Sequence, residues 1–102
     1  MSAVPELPQI DTLVHEPARL RLLTLLSVLT RADFVFLLKQ SGLSRGNLSV
    51  QMTRLSNAGL VAIEKRFVDK RPRTTYALTP AGREALAAYR RALQSILALL
   101  PE

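Results

Sequence analysis

The sequence predicts an α+β fold class, mainly α-helical with a small β-hairpin, from two kinds of local pattern. Apolar residues recur every three or four positions in four stretches that each begin beside a helix-capping or helix-starting residue: 17–29, 34–40, 45–58 and 80–100. Two short runs are rich in β-branched and aromatic residues, as is typical of strands: 60–63 and 74–78. Only a basic loop separates these two runs, so they are expected to pair as a hairpin.

The first helix is predicted to start at Pro17, because proline at the first helical position loses no hydrogen bond. Leu13 and Val14, just before it, are expected to begin helical structure. The apolar stripe of this helix is wide, and it contains Ala18, Leu22, Leu25, Leu26 and Leu29. Leu20 and Leu23 add a second apolar side, so the helix is expected to pack against partners on more than one face.

The next two helices are predicted from their caps. Asp33 is expected to cap a helix over 34–40 that Gly42 ends, and Ser44 a helix over 45–58 that Gly59 ends. In the second of these helices three apolar residues share one face, and the opposite face carries Gly46, Asn47, Val50, Thr53, Arg54 and Asn57. A solvated face usually mixes acidic with basic residues, so this acid-free face is predicted to bind a partner.

The loop between the two strands is strongly basic. It holds five basic residues against Glu64 and Asp69, namely Lys65, Arg66, Lys70, Arg71 and Arg73. After the second strand, Thr79 and Pro80 are predicted to cap and start a last helix, about 79–100. Its apolar positions approximate a heptad seam: Leu86, Tyr89, Leu93, Ile96, Leu97 and Leu100. This seam is expected to form a dimer interface with the first helix; the alternative is a helix that folds back on its own domain.

Length and charge narrow the class of protein further. The 102 residues are expected to form an N-terminal arm, 1–11, and a single domain, 12–102. Fourteen basic residues against eight acidic ones give a formal charge of +6, and the bases cluster in the second half of the chain. This clustering suits a polyanionic partner.

No stretch has the length and apolarity of a membrane span, and the start lacks the pattern of a signal peptide, so a cytoplasmic location is expected.

Catalytic and cofactor chemistry finds little support in the sequence. There is no cysteine and only one histidine, His15, which excludes thiolate sites and a histidine-based metal site within one chain. No carboxylate pair suggests acid–base catalysis, and no glycine-rich phosphate loop occurs. We therefore expect a non-enzyme that needs no metal or cofactor. His15 is expected to cap or pack at the first helix, with sensing of a ligand or of pH as the alternative.

Four pieces of the chain together resemble a known family. They are HEPARLRLLTLL, GLSRGNLSVQMTRLSNAGLV, KRFVDKRPRTTYALTPAGR and the helix that follows. The combination, which spans roughly residues 12–100, is similar to the winged helix-turn-helix of MarR- and ArsR-type bacterial transcriptional regulators. The resemblance implies a homodimeric, sequence-specific regulator of transcription, most often a repressor, that binds double-stranded DNA at a pseudo-palindromic operator. It also implies a recognition helix in the major groove and a basic wing on the minor groove or backbone.

The resemblance and the residue types together assign the DNA contacts. Those of the recognition helix are Ser44, Arg45, Gly46, Asn47, Ser49, Val50, Thr53 and Arg54, and those of the wing are Lys65, Arg66, Lys70, Arg71 and Arg73. Asn47 is expected to bond adenine in a bidentate way, and Val50 to touch a thymine methyl group. Lys70 and Arg71 are assigned to the wing tip, where Asp69 is expected to form an ion pair with a neighbouring basic side chain.

Two other functions remain open. A winged helix can bind proteins instead of DNA, in which case the basic face would meet an acidic partner. A small-molecule effector could also bind between the first and last helices and act as the switch of a DNA-binding regulator.

Overall fold

The computed structural model describes residues 4–102, and this part of the chain contains four helices and three strands. In chain order they are α1 (Pro17–Val28), β1 (Ala32–Asp33), α2 (Phe34–Ser41), α3 (Arg45–Asn57), β2 (Val61–Val68), β3 (Arg71–Leu78) and α4 (Pro80–Leu97). The strands form an antiparallel sheet in the order β1-β3-β2. Helices α2 and α3 form the predicted helix-turn-helix and β2 and β3 form the wing, so the predicted fold class is confirmed.

Side-chain caps set the start of each helix. Asp33, Ser44 and Thr79 accept hydrogen bonds from backbone N–H groups in the first turns of α2, α3 and α4, as predicted. At α1 the cap is Glu16, whose carboxylate accepts from the N–H groups of Ala18 and Arg19, both at 3.0 Å. These two hydrogen bonds, of which the one from Ala18 has the larger effect, hold the pKa of the Glu16 carboxyl below its usual value.

The segment before α1 differs from expectation. Leu13 and Val14 lie in a turn and not in a helix, although Val14 is fully buried. Pro17 is the first residue of α1, as predicted, so helical hydrogen bonding begins only there. Residues 4–11 of the predicted arm contain no helix or strand, and residues 1–3 lie outside the described part of the chain.

The hydrophobic core lies where the first three helices meet the base of the sheet. Its fully buried side chains come mainly from those helices: Leu22, Leu23, Leu26, Leu37, Leu48, Met52 and Leu55. Val61 and Tyr76 close the core from the sheet, and burial raises the pKa of the Tyr76 hydroxyl. This core holds α3 by its apolar face and leaves the other face of that helix outward.

The sheet is larger than predicted. Only two strands are predicted from the sequence, but Ala32, between the first two helices, also pairs with Tyr76 in the short strand β1. The basic segment between the predicted strands is mostly strand as well, because β2 and β3 stay paired out to Val68 and Arg71. Lysine, arginine and glutamate have weak strand preferences, so their sequence did not reveal this pairing. The wing is therefore a long, regular ribbon with a two-residue turn.

No helix in residues 4–102 is long and apolar enough to cross a membrane.

Candidate nucleic-acid interface

The outward face of α3 is fully available to a partner. Helix α3 has 13 residues and is about 20 Å long at 1.5 Å per residue, a length that fits a major groove. All of the residues assigned to DNA contact on or beside it are exposed: Ser44, Arg45, Gly46, Asn47, Ser49, Val50, Thr53 and Arg54. The helix contains no acidic residue, so its exposed N-terminal half carries positive charge, neutral polar groups and small residues.

Two interactions fix polar groups at the start of α3. The hydroxyl of Ser44 accepts a hydrogen bond from the backbone N–H of Asn47 at 3.1 Å. The guanidinium carbon of Arg45 lies 5.8 Å from the ring centroid of Phe34 on α2, within cation–π range. The first turn of α3 is thus tied to the neighbouring helix, and Arg45 is held beside the face that would meet DNA.

A buried arginine connects α1 to the same face. Arg19 is 8% exposed, and it donates one hydrogen bond to the side-chain oxygen of Gln51 at 2.9 Å. Gln51 in turn donates its amide to Oδ1 of Asn47, one turn earlier on α3, at 3.0 Å. Nothing in the local sequence indicated this chain of contacts, because Arg19 and Gln51 are 32 positions apart.

The wing ends in a strained two-residue turn. Asp69 and Lys70 have φ values of 51° and 64°, the left-handed conformation at both central positions of a type I′ turn. Aspartate tolerates this conformation, but at the second position glycine is the usual residue. Arg71, assigned to the tip by sequence, is the first residue of β3 and lies just behind it. The five basic wing residues assigned to DNA contact are all exposed: Lys65, Arg66, Lys70, Arg71 and Arg73.

One face of the wing gathers three arginines. Arg31, Arg66 and Arg73 line a pocket of about 190 Å³ together with Val68 and Thr75. Arg66 also pairs with Glu64 on the same strand, which offsets part of its charge. Arg31 is not among the predicted wing residues, because it precedes β1 and only the pairing of β1 with β3 brings it to the wing. Asp69 forms no ion pair with a described residue, contrary to expectation.

The strain at Lys70 gives a testable prediction. Lys70→Gly is expected to raise the free energy of unfolding by about 1 kcal/mol, because glycine adopts positive φ without a steric cost. The same change removes the charge at the tip, so binding to a DNA duplex should weaken severalfold. Urea unfolding and fluorescence anisotropy measure the two effects.

Lys70→Arg is the matched control, since it keeps both the charge and the strain. It should leave stability and affinity close to wild type. A Lys70→Gly variant that is no more stable than wild type would contradict the strain assigned to this turn.

The predicted dimerisation residues differ in how far the structure exposes them. Leu86, Leu93 and Ile96 are half-buried, and Leu97 and Leu100 are exposed at 55% and 58%. Leu100 lies just beyond the end of α4. Tyr89 instead packs inside its own chain: it is 5% exposed, and its hydroxyl lies 2.9 Å from Nδ1 of His15.

A groove runs between α1 and α4. It has a volume of about 630 Å³, and its apolar lining comes from both helices, with Leu20 of α1 facing Leu86, Leu93 and Leu97 of α4. Arg83 and Arg90 lie along it. The groove is therefore an apolar surface bordered by positive charge, on the helix that the sequence assigned to dimer contacts.

A helix-turn-helix whose second helix is held outward, followed by a basic hairpin, defines the winged helix class of DNA-binding protein. The profile of the winged helix DNA-binding domain family matches residues 18–97, and the chain belongs to that family. This is a fold and a family of transcriptional regulators, not of enzymes.

Individual relatives agree with this family. The transcriptional regulator Rv3488 of Mycobacterium tuberculosis is 47% identical over 53 residues, which are 52% of this chain and 50% of that protein. The chain thus spans about half the length of this curated relative. Among solved structures, the transcriptional regulator homologue from Pyrococcus horikoshii OT3 has a TM-score of 0.81 and 28% identity, over 86% of this chain and 87% of that one. A MarR-family regulator from Silicibacter pomeroyi has a TM-score of 0.65 and 26% identity, over 82% and 56%.

Proposed function

We propose that this chain is a homodimeric transcriptional regulator that binds a specific double-stranded DNA sequence. The observation that carries the proposal is the combination of an exposed, acid-free α3 face and an exposed basic wing in the same domain. Helix α3 lies in the major groove, where side chains distinguish all four base pairs. The wing follows the adjacent minor groove or backbone, where Lys65, Lys70, Arg71 and Arg73 meet phosphates.

The dimer is proposed to form through α4 and the groove that α4 shares with α1. The chain alone has a radius of gyration of 16.4 Å, larger than the roughly 13 Å of a compact chain of this length. The exposed leucines near the end of α4 are an apolar surface that a second copy would bury, and a small domain gains stability from such burial. Two recognition helices related by a two-fold axis then read a pseudo-palindromic operator. Repression is the proposed outcome, because the bound dimer would cover promoter DNA.

A small-molecule effector is proposed to bind between α1 and α4, in the part of the same groove beside Arg83 and Arg90 and away from the exposed leucines at the end of α4. The groove is large enough for a small ligand, and it combines an apolar lining with Arg83 and Arg90. A ligand with a negative charge and an apolar body fits this lining. Binding there would change the angle between α1 and α4, and hence the spacing of the two recognition helices in the dimer.

Fluorescence anisotropy with two duplexes tests the proposed function. One duplex is the DNA upstream of the gene for this protein, and the other is a random sequence of equal length. A regulator is expected to bind the upstream duplex at least tenfold more tightly at moderate salt. Equal, weak binding to both would oppose sequence-specific regulation. Failure to bind any duplex at low salt, with the fold intact by circular dichroism, would favour a protein-interaction module with an acidic partner.

Arg54→Ala tests the part played by α3. Arg54 is exposed on the second half of the helix, so its loss should weaken binding about tenfold without changing the oligomeric state. Size-exclusion chromatography with light scattering measures the oligomeric state of both proteins. Wild-type affinity in the variant would remove Arg54 from the interface.

A further inference from the structure

The contacts of Arg19 determine which way the Asn47 amide faces. A guanidinium group can only donate hydrogen bonds. The guanidinium of Arg19 is held at its position by the carbonyl oxygens of Leu13 and Thr12, at 2.6 and 3.5 Å, and by the carboxylate of Glu16 at 3.5 Å. It is buried and therefore cannot swing aside into solvent.

Because Arg19 can only donate, it fixes which groups of Gln51 and Asn47 donate and which accept. Because Arg19 donates, the group of Gln51 that faces it must be the acceptor, Oε1. The NH₂ group of Gln51 then faces Asn47, and the group of Asn47 that receives it must be Oδ1. Turning either amide by 180° would set donor against donor. A donor-only side chain at one end thus fixes both amides.

We infer that Arg19 and Gln51 are positioning residues that make Asn47 a hydrogen-bond donor, so that α3 reads a base carrying an acceptor at this position. The inference rests on the proposed DNA binding and specifies one base contact of that site. With Oδ1 of Asn47 engaged by Gln51, its NH₂ group remains for DNA. In the major groove guanine offers two acceptors, N7 and O6, whereas cytosine offers only a donor. The contact therefore discriminates against cytosine, and guanine is the preferred base because it offers two acceptors where adenine and thymine offer one each.

This assignment replaces the bidentate contact with adenine expected from the residue type alone. That contact needs the asparagine oxygen to accept from the adenine amino group while its NH₂ donates to N7. Because Oδ1 of Asn47 already accepts from Gln51, only its second lone pair could accept from adenine, whereas the NH₂ group is entirely free for DNA. Holding the amide in one orientation before binding also removes part of the entropy cost of ordering it on DNA.

Gln51→Glu provides the sharpest test, since it replaces the group that donates to Asn47 by one that can only accept, with almost no change in shape. A carboxylate at position 51 accepts from Arg19 and can only accept from Asn47, so the Asn47 amide must turn and present its oxygen to DNA. Preferred sites of the wild type and the variant are selected from a random duplex library, and single-base variants of those sites are then measured by anisotropy. At one position of the half-site, the wild type should prefer guanine over cytosine by about three- to tenfold. The Gln51→Glu variant should prefer cytosine there.

Three further variants make the result unambiguous. Asn47→Ala should reduce the preference at that position to less than about twofold, and Gln51→Met should do the same because Asn47 can then turn freely. Gln40→Glu on α2 adds the same charge at an exposed position, and it should lower affinity without altering the preferred base. Gln51→Met has no added charge, so it tests the inference even if Gln51→Glu is too unstable to study.

Each outcome decides the inference. Inversion by Gln51→Glu, or loss of the preference in Gln51→Met, supports it. A preference that Asn47→Ala abolishes but both Gln51 variants retain would overturn it and leave DNA binding by α3 intact. Uniform weakening by Asn47→Ala at all sequences would also overturn it, since Asn47 would then contact phosphate. If the wild type binds no duplex, the proposed function fails and this inference fails with it.

Discussion

Replacing Gly82 by alanine is expected to lower the free energy of unfolding by about 3 kcal/mol, the largest stability effect of any glycine substitution in this chain. Gly82 is buried in the first turn of α4. A Cβ atom there would lie 2.1 Å from the backbone oxygen of Leu60 and 2.9 Å from Cδ2 of Leu78. The clash involves backbone, so a side-chain rotation cannot relieve it.

The same contact holds the last helix onto the sheet. The oxygen of Leu60 accepts a hydrogen bond from the N–H of Thr79 at 3.1 Å, and the Thr79 hydroxyl donates to the oxygen of Gly59 at 2.6 Å. To admit a methyl group at position 82, α4 must move away from the start of β2 and strain both bonds. The groove between α1 and α4 would then change shape, so dimer formation should weaken as well.

Urea unfolding followed by circular dichroism at fixed protein concentration measures the effect, since dimer formation makes stability depend on concentration. Gly46→Ala is the matched control, because it is also in the first turn of a helix but has nothing within 4 Å of the added Cβ. It should stabilise the fold by up to about 1 kcal/mol. Equal unfolding midpoints for Gly82→Ala and wild type would mean that α4 does not need this close approach.

The parts of the fold that were predictable depend on neighbours in sequence. Asp33, Ser44 and Thr79 cap backbone groups only three residues away, and Gly42 ends α2 with a φ of 72°. Such effects are local, so residue type and position were enough to locate α2, α3 and α4. The apolar spacing in α3 was equally informative, because burial of Leu48, Met52 and Leu55 follows directly from the period of a helix.

The features that were missed depend on contacts between distant segments. β1 has two residues and exists only because Ala32 and Asp33 pair with β3, more than 40 positions later. The outer half of the wing has few β-branched residues, so pairing across the turn decides its structure. The sequence assigned no role to Arg19, whereas the structure buries it against α3. In the candidate site the exposed residues were therefore predictable, and the groups that orient them were not.

The salt dependence of DNA binding is expected to show the largest effect on affinity. If each subunit of the proposed dimer neutralises about four phosphates, the logarithm of the binding constant should fall with the logarithm of salt concentration with a slope of about −7. Affinity would then drop by about four powers of ten between roughly 50 and 200 mM salt. Anisotropy titrations at several salt concentrations give the slope.

The change in this slope caused by Arg71→Ala shows how many subunits contact the DNA. Arg71 is exposed at the start of β3, directly behind the wing tip, and its proposed partner is a phosphate. Loss of one phosphate contact makes the slope less steep by about 0.9, so a dimer, which carries the change twice, should lose about 1.8. Arg91→Ala is the control, because Arg91 is an exposed arginine on α4 that pairs with Glu84, and it removes the same charge away from the wing. An unchanged slope for Arg71→Ala would place the wing tip off the DNA, and equal changes for Arg71→Ala and Arg91→Ala would show that net charge alone governs binding.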